Sequence, residues 1–169
     1  LTYKEIEKDN FEIKRKINIH LDRDQPIDIS NSTALGIKEF SKAYRDLAPD
    51  LIIVLGDRFE LLSAVIPALF ENIPIAHIHG GERTEGCIDE AIRHSITKFS
   101  NYHFVATETY KKRVIQLGEN PDRVFNVGGM GIDSLESMRL KSREEIEKEL
   151  KIKLLSKSLI VTFHPVTLE

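Results

Sequence analysis

Residues Leu51-Ile52-Ile53-Val54-Leu55 form a run of five apolar, β-favouring side chains without a polar interruption. A strand wetted on one side alternates, so an unbroken run reads as a strand buried on both faces, the habit of parallel sheets. Parallel strands need long crossovers, and the flanking sequence supplies them. Residues 30–47 carry Leu35, Ile37, Phe40, Ala43, Tyr44 and Leu47 on one side, with Ser30 or Ser32 as cap and Pro49-Asp50 as stop. Gly56-Asp57 turns the chain into a second helix, which turns Phe59, Leu62, Val65, Ile66 and Leu69 inward. Strand patterns at residues 73–78, 103–106 and 124–127 alternate with helix patterns at 88–100, 107–117, 132–138 and 141–150. Ser142-Arg143-Glu144-Glu145 has the spacing of a capping box. Residues 12–19 set Ile13, Ile17 and Ile19 against Lys14, Arg15 and Lys16, as a half-exposed strand does. This rhythm predicts an α/β protein with a doubly wound parallel sheet.

Composition narrows the function classes. The chain has 169 residues, 41% hydrophobic and 30% charged, enough for one domain with a core. A net charge of −3 gives no electrostatic reason to expect nucleic acid or an anionic membrane. No apolar run approaches the roughly 18–20 residues of a membrane span. Cys87 is the sole cysteine, which excludes an internal disulfide and a Cys-based zinc site. The chain opens on Leu-Thr-Tyr-Lys-Glu, neither an initiator Met nor a signal peptide, and residues 159–163 read as a buried strand close to its last residue. These features predict a fragment of a larger protein.

Ligands of open α/β sheets bind beyond the carboxyl ends of the strands, and three such ends carry chemistry. At the first, Gly56 permits a tight turn and Asp57 opens a helix, as N-cap, as proton-transfer group, or as both. The second, residues 74–94, crowds His77, His79, Glu82, Arg83, Glu85, Asp89, Arg93 and His94 around Gly80-Gly81. Period two puts His77 and His79 on one strand face, which requires polar partners or a metal. The carboxylates nearby have no recognisable ligand spacing. Gly80-Gly81 is a turn or an anion cradle. Asp89 and Arg93, four apart, share a helix face, either as a surface ion pair or as site groups. His94 stands about 100° further round. At the third end, His164 precedes Pro165, a loop signal that is weak alone.

Taken together, these segments resemble the UDP-N-acetylglucosamine 2-epimerase family, and within it the hydrolysing branch. The resemblance rests on Leu55-Gly-Asp-Arg-Phe-Glu60, His77-Ile-His-Gly-Gly-Glu82, Ile88-Asp-Glu-Ala-Ile-Arg-His-Ser-Ile-Thr-Lys98, Arg113-Val-Ile-Gln-Leu-Gly-Glu119, Val124-Phe-Asn-Val-Gly128 and Val161-Thr-Phe-His-Pro165. It implies a two-domain, glycosyltransferase-B-like fold. Residues 1–150 would be most of the N-terminal Rossmann-like domain without its first strand. Residues 151–169 would be a linker and the first strand of a truncated second domain. It implies elimination of UDP to a glycal, then water addition with inversion at C2, giving N-acetylmannosamine or a related 2-acetamido sugar. The non-hydrolysing sister activity and a non-catalytic sugar-nucleotide binding module are the alternatives.

By the same resemblance, Asp57, His79, Glu82 and Asp89 would be catalytic. Arg58, Gly80, Gly81, Arg93, His94 and His164 would contact substrate, Arg93 and His164 by orienting the sugar and neutralising phosphate. The implied partner is a nucleotide sugar, in a cytoplasmic homodimer without metal or cofactor. Gly-x-Gly-x-x-Gly follows no strand, in keeping with redox-neutral chemistry. One departure stands out: the family commonly carries Glu where this chain has His79. Either His79 takes over the proton transfer, or Glu82 does.

Overall fold

The structure, a computed structural model, describes residues 3–21, 23 and 25–163. The elements run α1 (Tyr3–Lys8), α2 (Pro26–Leu47), β1 (Ile52–Leu55), α3 (Phe59–Phe70), β2 (Ile75–Ile78), α4 (Asp89–Phe99), β3 (Tyr102–Val105), α5 (Glu108–Gln116), a 3₁₀ turn at Pro121–Arg123, β4 (Val124–Asn126), α6 (Met130–Ser137) and α7 (Arg143–Leu150). The four strands form one parallel sheet in the order β1-β2-β3-β4. Register places Val54 beside His77, and His77 beside His103, which in turn lies beside Val124. The Rossmann-like α/β class is therefore the one the alternation predicts.

Strands that step in one direction across a parallel sheet lay their right-handed crossovers on one face. That face holds the core: Val54, Ile75, Val105 and Val124 from the sheet, Val65 and Ala68 from α3, Ile96 from α4 and Val114 from α5 are all buried. α2 packs on α3, closing at Gly36, where an added Cβ would lie 2.5 Å from Ser63 Oγ. Ser63 in turn donates to Thr33 O (3.1 Å) and Tyr44 to Ala64 O (3.0 Å), so the helix pair is bonded as well as packed.

The opposite face is bare among the described residues. Ile53 is 65% exposed, Leu55 54% and Phe125 42%, and Phe104 stacks on Phe125 at 5.4 Å between ring centroids. The apolar run of β1 is thus buried on one face, not two. Its composition answers to both faces, but no described helix covers the second.

Three further expectations are corrected. Residues 12–19 join no ladder, although β1 is an edge strand of the sheet. Residues 159–163 are exposed and form no strand; an isolated apolar run cannot satisfy its own backbone groups. α2 begins at Pro26, not at Ser30 or Ser32: proline suits the first helical turn. The Ser30 hydroxyl instead bonds back to Pro26 O at 2.8 Å. The capping box is present as predicted, with Ser142 Oγ accepting from Glu145 N (3.2 Å) and Ser142 N donating to Glu145 Oε2 (2.7 Å).

Gly36→Val should lower unfolding stability by about 2 kcal/mol, because Ser63 is buried and bonded and cannot retreat. The shift of a urea unfolding midpoint measures it, and an unchanged midpoint would mean that α2 slides freely on α3.

Candidate active site

Two adjacent strand ends build the site. Gly56 follows β1 in the left-handed region (φ +89°), its N–H still bonded to Ile78 O at 3.1 Å. The chain then delivers Asp57 and Arg58 before α3 starts. Asp57 is not the N-cap; Arg58 holds that position and makes no side-chain cap. The Asp57 carboxylate instead pairs with the guanidinium of Arg93, which α4 carries in from beneath.

Arg93 is 5% exposed. It also donates to Thr84 Oγ1 at 2.8 Å and lies 3.5 Å from Glu90 Oε2. Of the two readings of Asp89 and Arg93, the surface ion pair is not formed. The helix face that carries Arg93 is turned inward, where Asp57 and Glu90 share the cation. Asp89 stands half-buried as the first residue of α4, with no ion-pair partner among the described residues. Nη2 of Arg93 is engaged by Asp57 and Thr84, and Nη1 lies at the limit of hydrogen-bond reach from Glu90.

Glu90 is the group that sequence reasoning missed. Its Oε2 accepts from Thr84 N at 2.6 Å, and its Oε1 lies 3.1 Å from His94 Nε2. Burial pushes the Glu90 carboxyl up, but the Thr84 N–H and His94 outweigh it and hold it below the ordinary carboxylate value. The i,i+4 spacing of Glu90 and His94 was the available signal. His94 thereby belongs to the scaffold of α4, and its Nδ1 is buried without a hydrogen bond.

β2 ends at Ile78, and His79 leaves the strand geometry at φ +65°, an uncommon backbone for a side-chain-bearing residue. Its N–H still reaches Phe104 O at 2.9 Å. The period-two match of His77 with His79 is broken by that turn. His79 Nδ1 lies 2.6 Å from Glu82 Oε1, both side chains part-exposed, and Nε2 has no partner among the described residues. The two rivals for one role are thus a single hydrogen-bonded pair. A carboxylate on Nδ1–H fixes the tautomer and leaves Nε2 as proton acceptor.

Gly80 and Gly81 are both buried. A Cβ at Gly80 would lie 3.1 Å from His77 Nδ1, and one at Gly81 (φ +77°) would lie 2.5 Å from Tyr110 O. Gly81 O accepts from Arg113. The missing side chains of this pair answer to packing. Arg58 is exposed and turned onto Glu60, Nη2 to Oε1 at 2.8 Å. His164 lies outside the described residues. His, Cys, Asp and Glu form no group of three or more suited to a metal among the described residues. No helix among them is long and apolar enough to cross a membrane.

Fold and site together define a Rossmann-like α/β protein with a cluster of polar, titratable groups at the carboxyl ends of neighbouring strands. The family profile for UDP-N-acetylglucosamine 2-epimerase matches residues 2–169. GDP/UDP-N,N'-diacetylbacillosamine 2-epimerase (hydrolyzing) of Campylobacter jejuni is 46% identical over 99% of this chain and 44% of its own length. Polysialic acid biosynthesis protein P7 of Escherichia coli is 44% identical over 96% of this chain and 41% of its own. The crystal structure of UDP-GlcNAc 2-epimerase from Neisseria meningitidis bound to UDP-GlcNAc superposes with a TM-score of 0.70 at 25% identity. That match covers 78% of this chain and 36% of the other. The chain belongs to the UDP-N-acetylglucosamine 2-epimerase family, and it spans less than half the length of these relatives.

Burial drives the His77 imidazole down from the ordinary 6.5 to about 4, and lowers His103 as well. Both stay neutral in the fold while the unfolded chain takes up protons below about pH 6.5. Stability contributed by the neutral rings is complete above that value and is lost as pH falls toward 4. Unfolding midpoints recorded from pH 7.5 to about 4 should decline through this window, and His77→Gln should flatten the decline.

Proposed function

We propose that the full-length protein is a hydrolysing sugar-nucleotide 2-epimerase. It acts on UDP-N-acetylglucosamine or a related UDP-linked 2-acetamido sugar, and releases UDP with the C2-inverted free sugar. The observation that carries this reading is the adjacency of two strand-end pairs, Asp57 with Arg93 and His79 with Glu82. The name of the Campylobacter jejuni relative supports water as the acceptor, and makes a 2,4-diacetamido-6-deoxy hexose the second sugar to try.

A hexose C2 proton is not acidic, so direct deprotonation is a poor route to inversion. Elimination avoids it. A base takes the C2 proton as the bond from C1 to the diphosphate oxygen breaks, and the C2–H electrons become the C1=C2 double bond of a glycal. Water then gives its hydroxyl to C1, while C2 receives a proton on the face opposite to the one that lost it. One water enters, and UDP and the free epimer leave, with no change of oxidation state.

The residues divide this work. His79 Nε2, with Nδ1–H held by Glu82, transfers the proton on one face. Asp57 serves the other face, its carboxylate aimed by Arg93. Asp89, the first residue of α4, activates water in this reading. The reading includes the cytoplasmic homodimer and the second domain that the family resemblance implies.

The full-length protein, incubated in heavy water with either UDP-sugar, should yield UDP and free sugar carrying deuterium at C2. A UDP-linked epimer would favour the non-hydrolysing activity, and binding without turnover would overturn the enzymatic reading. Asp57→Asn should lower kcat by about 1,000-fold or more, and His79→Ala by about 100-fold or more. Glu82→Gln keeps the base and should cost only about tenfold; a larger loss there than in His79→Ala would move the proton transfer to Glu82.

A further inference from the structure

His77 lies fully buried in the middle of the sheet, yet its ring touches both strand-end loops. Nε2 is 2.8 Å from Gly56 O, and Nδ1 is 3.2 Å from Thr97 Oγ1 on α4. A Cβ at Gly80 would lie 3.1 Å from Nδ1 of the same ring. The partners fix the tautomer. A carbonyl only accepts, so Nε2 carries the proton, and Nδ1 then accepts from the Thr97 hydroxyl.

The Gly56 carbonyl shares a rigid peptide plane with the Asp57 N–H. Gly56 is in the left-handed region, where glycine resists rotation least, and an added Cβ would meet nothing within 4 Å. Holding that carbonyl therefore holds the plane from which Asp57 departs. The other edge of the ring supports Gly80, the residue after His79.

We propose that His77 is a positioning residue: its neutral ring, held between Thr97 and the Gly56 carbonyl, sets the Asp57 carboxylate relative to the His79–Glu82 pair. One buried ring is thus the common reference for both loops. The inference rests on the reading of Asp57 and His79 as proton-transfer groups.

Variants at this position separate donor geometry from mere burial of a polar group. The amide nitrogen of His77→Gln reaches roughly where Nε2 stands, whereas that of His77→Asn stops near Nδ1. In the full-length protein, His77→Gln should keep kcat within about tenfold of wild type. His77→Asn should lose about 100-fold in kcat with KM nearly unchanged, as a misplacement on the order of 1 Å does. Thr97→Val, close in shape and buried, should cost about tenfold in kcat. Equal kcat in the Gln and Asn variants, or wild-type kcat in Thr97→Val, overturns the inference even where Asp57→Asn is inactive. Hydrogen exchange of residues 55–59 and 79–83 supplies a readout independent of turnover. It should rise about tenfold in His77→Asn and hold steady in His77→Gln. Unchanged exchange in both overturns the inference whether or not the epimerase reading survives.

Discussion

The Arg93 guanidinium is the interaction on which the site depends. It sits almost out of water between two carboxylates, Asp57 from the β1 turn and Glu90 from its own helix, with the Thr84 hydroxyl as a further partner. A buried cation is tolerated only when its charge and its donors are both answered. Here the answering groups come from three separate segments, so one residue gathers the strand-end turn, the loop before α4 and α4 itself. Glu90 extends the same network to Thr84 N and His94. Loss of the guanidinium would leave two part-exposed carboxylates without the cation they share.

A second network, built on imidazoles, lies under the first. His77 and His103 are register neighbours on the covered face of the sheet. His77 is satisfied by Gly56 and Thr97. His103 Nε2 lies 3.1 Å from Glu119, whose other oxygen takes Lys98 at 2.5 Å. The polar residues of the core are therefore ordered toward the loops on one side and toward the end of α5 on the other. Packing by Val65, Ile75, Ile96 and Val105 encloses both.

The fold was legible where local chemistry decides it. The β1 run and the Ser142 cap are short-range signals, and each falls where the residues say. What escaped was long-range. Asp57 and Arg93 are 36 positions apart, and nothing in a helical i,i+4 pattern tells an outward Arg from an inward one. The isoleucines of residues 12–19 alternate correctly for a strand, but alternation alone does not bring a segment to a sheet edge. Glu82 and His79 were each recognisable as candidates. Their partnership needed the left-handed backbone at His79, a conformation that sequence favours in glycine and asparagine far more than in histidine.

That contact also limits which side chains position 79 accepts. His79→Glu would bring a second carboxylate against Glu82, where imidazole and carboxylate now sit 2.6 Å apart. Two like charges that close either share a proton or separate. A glutamate at position 79 is therefore compatible with Glu82 only if the two share a proton or the Glu82 side chain turns away.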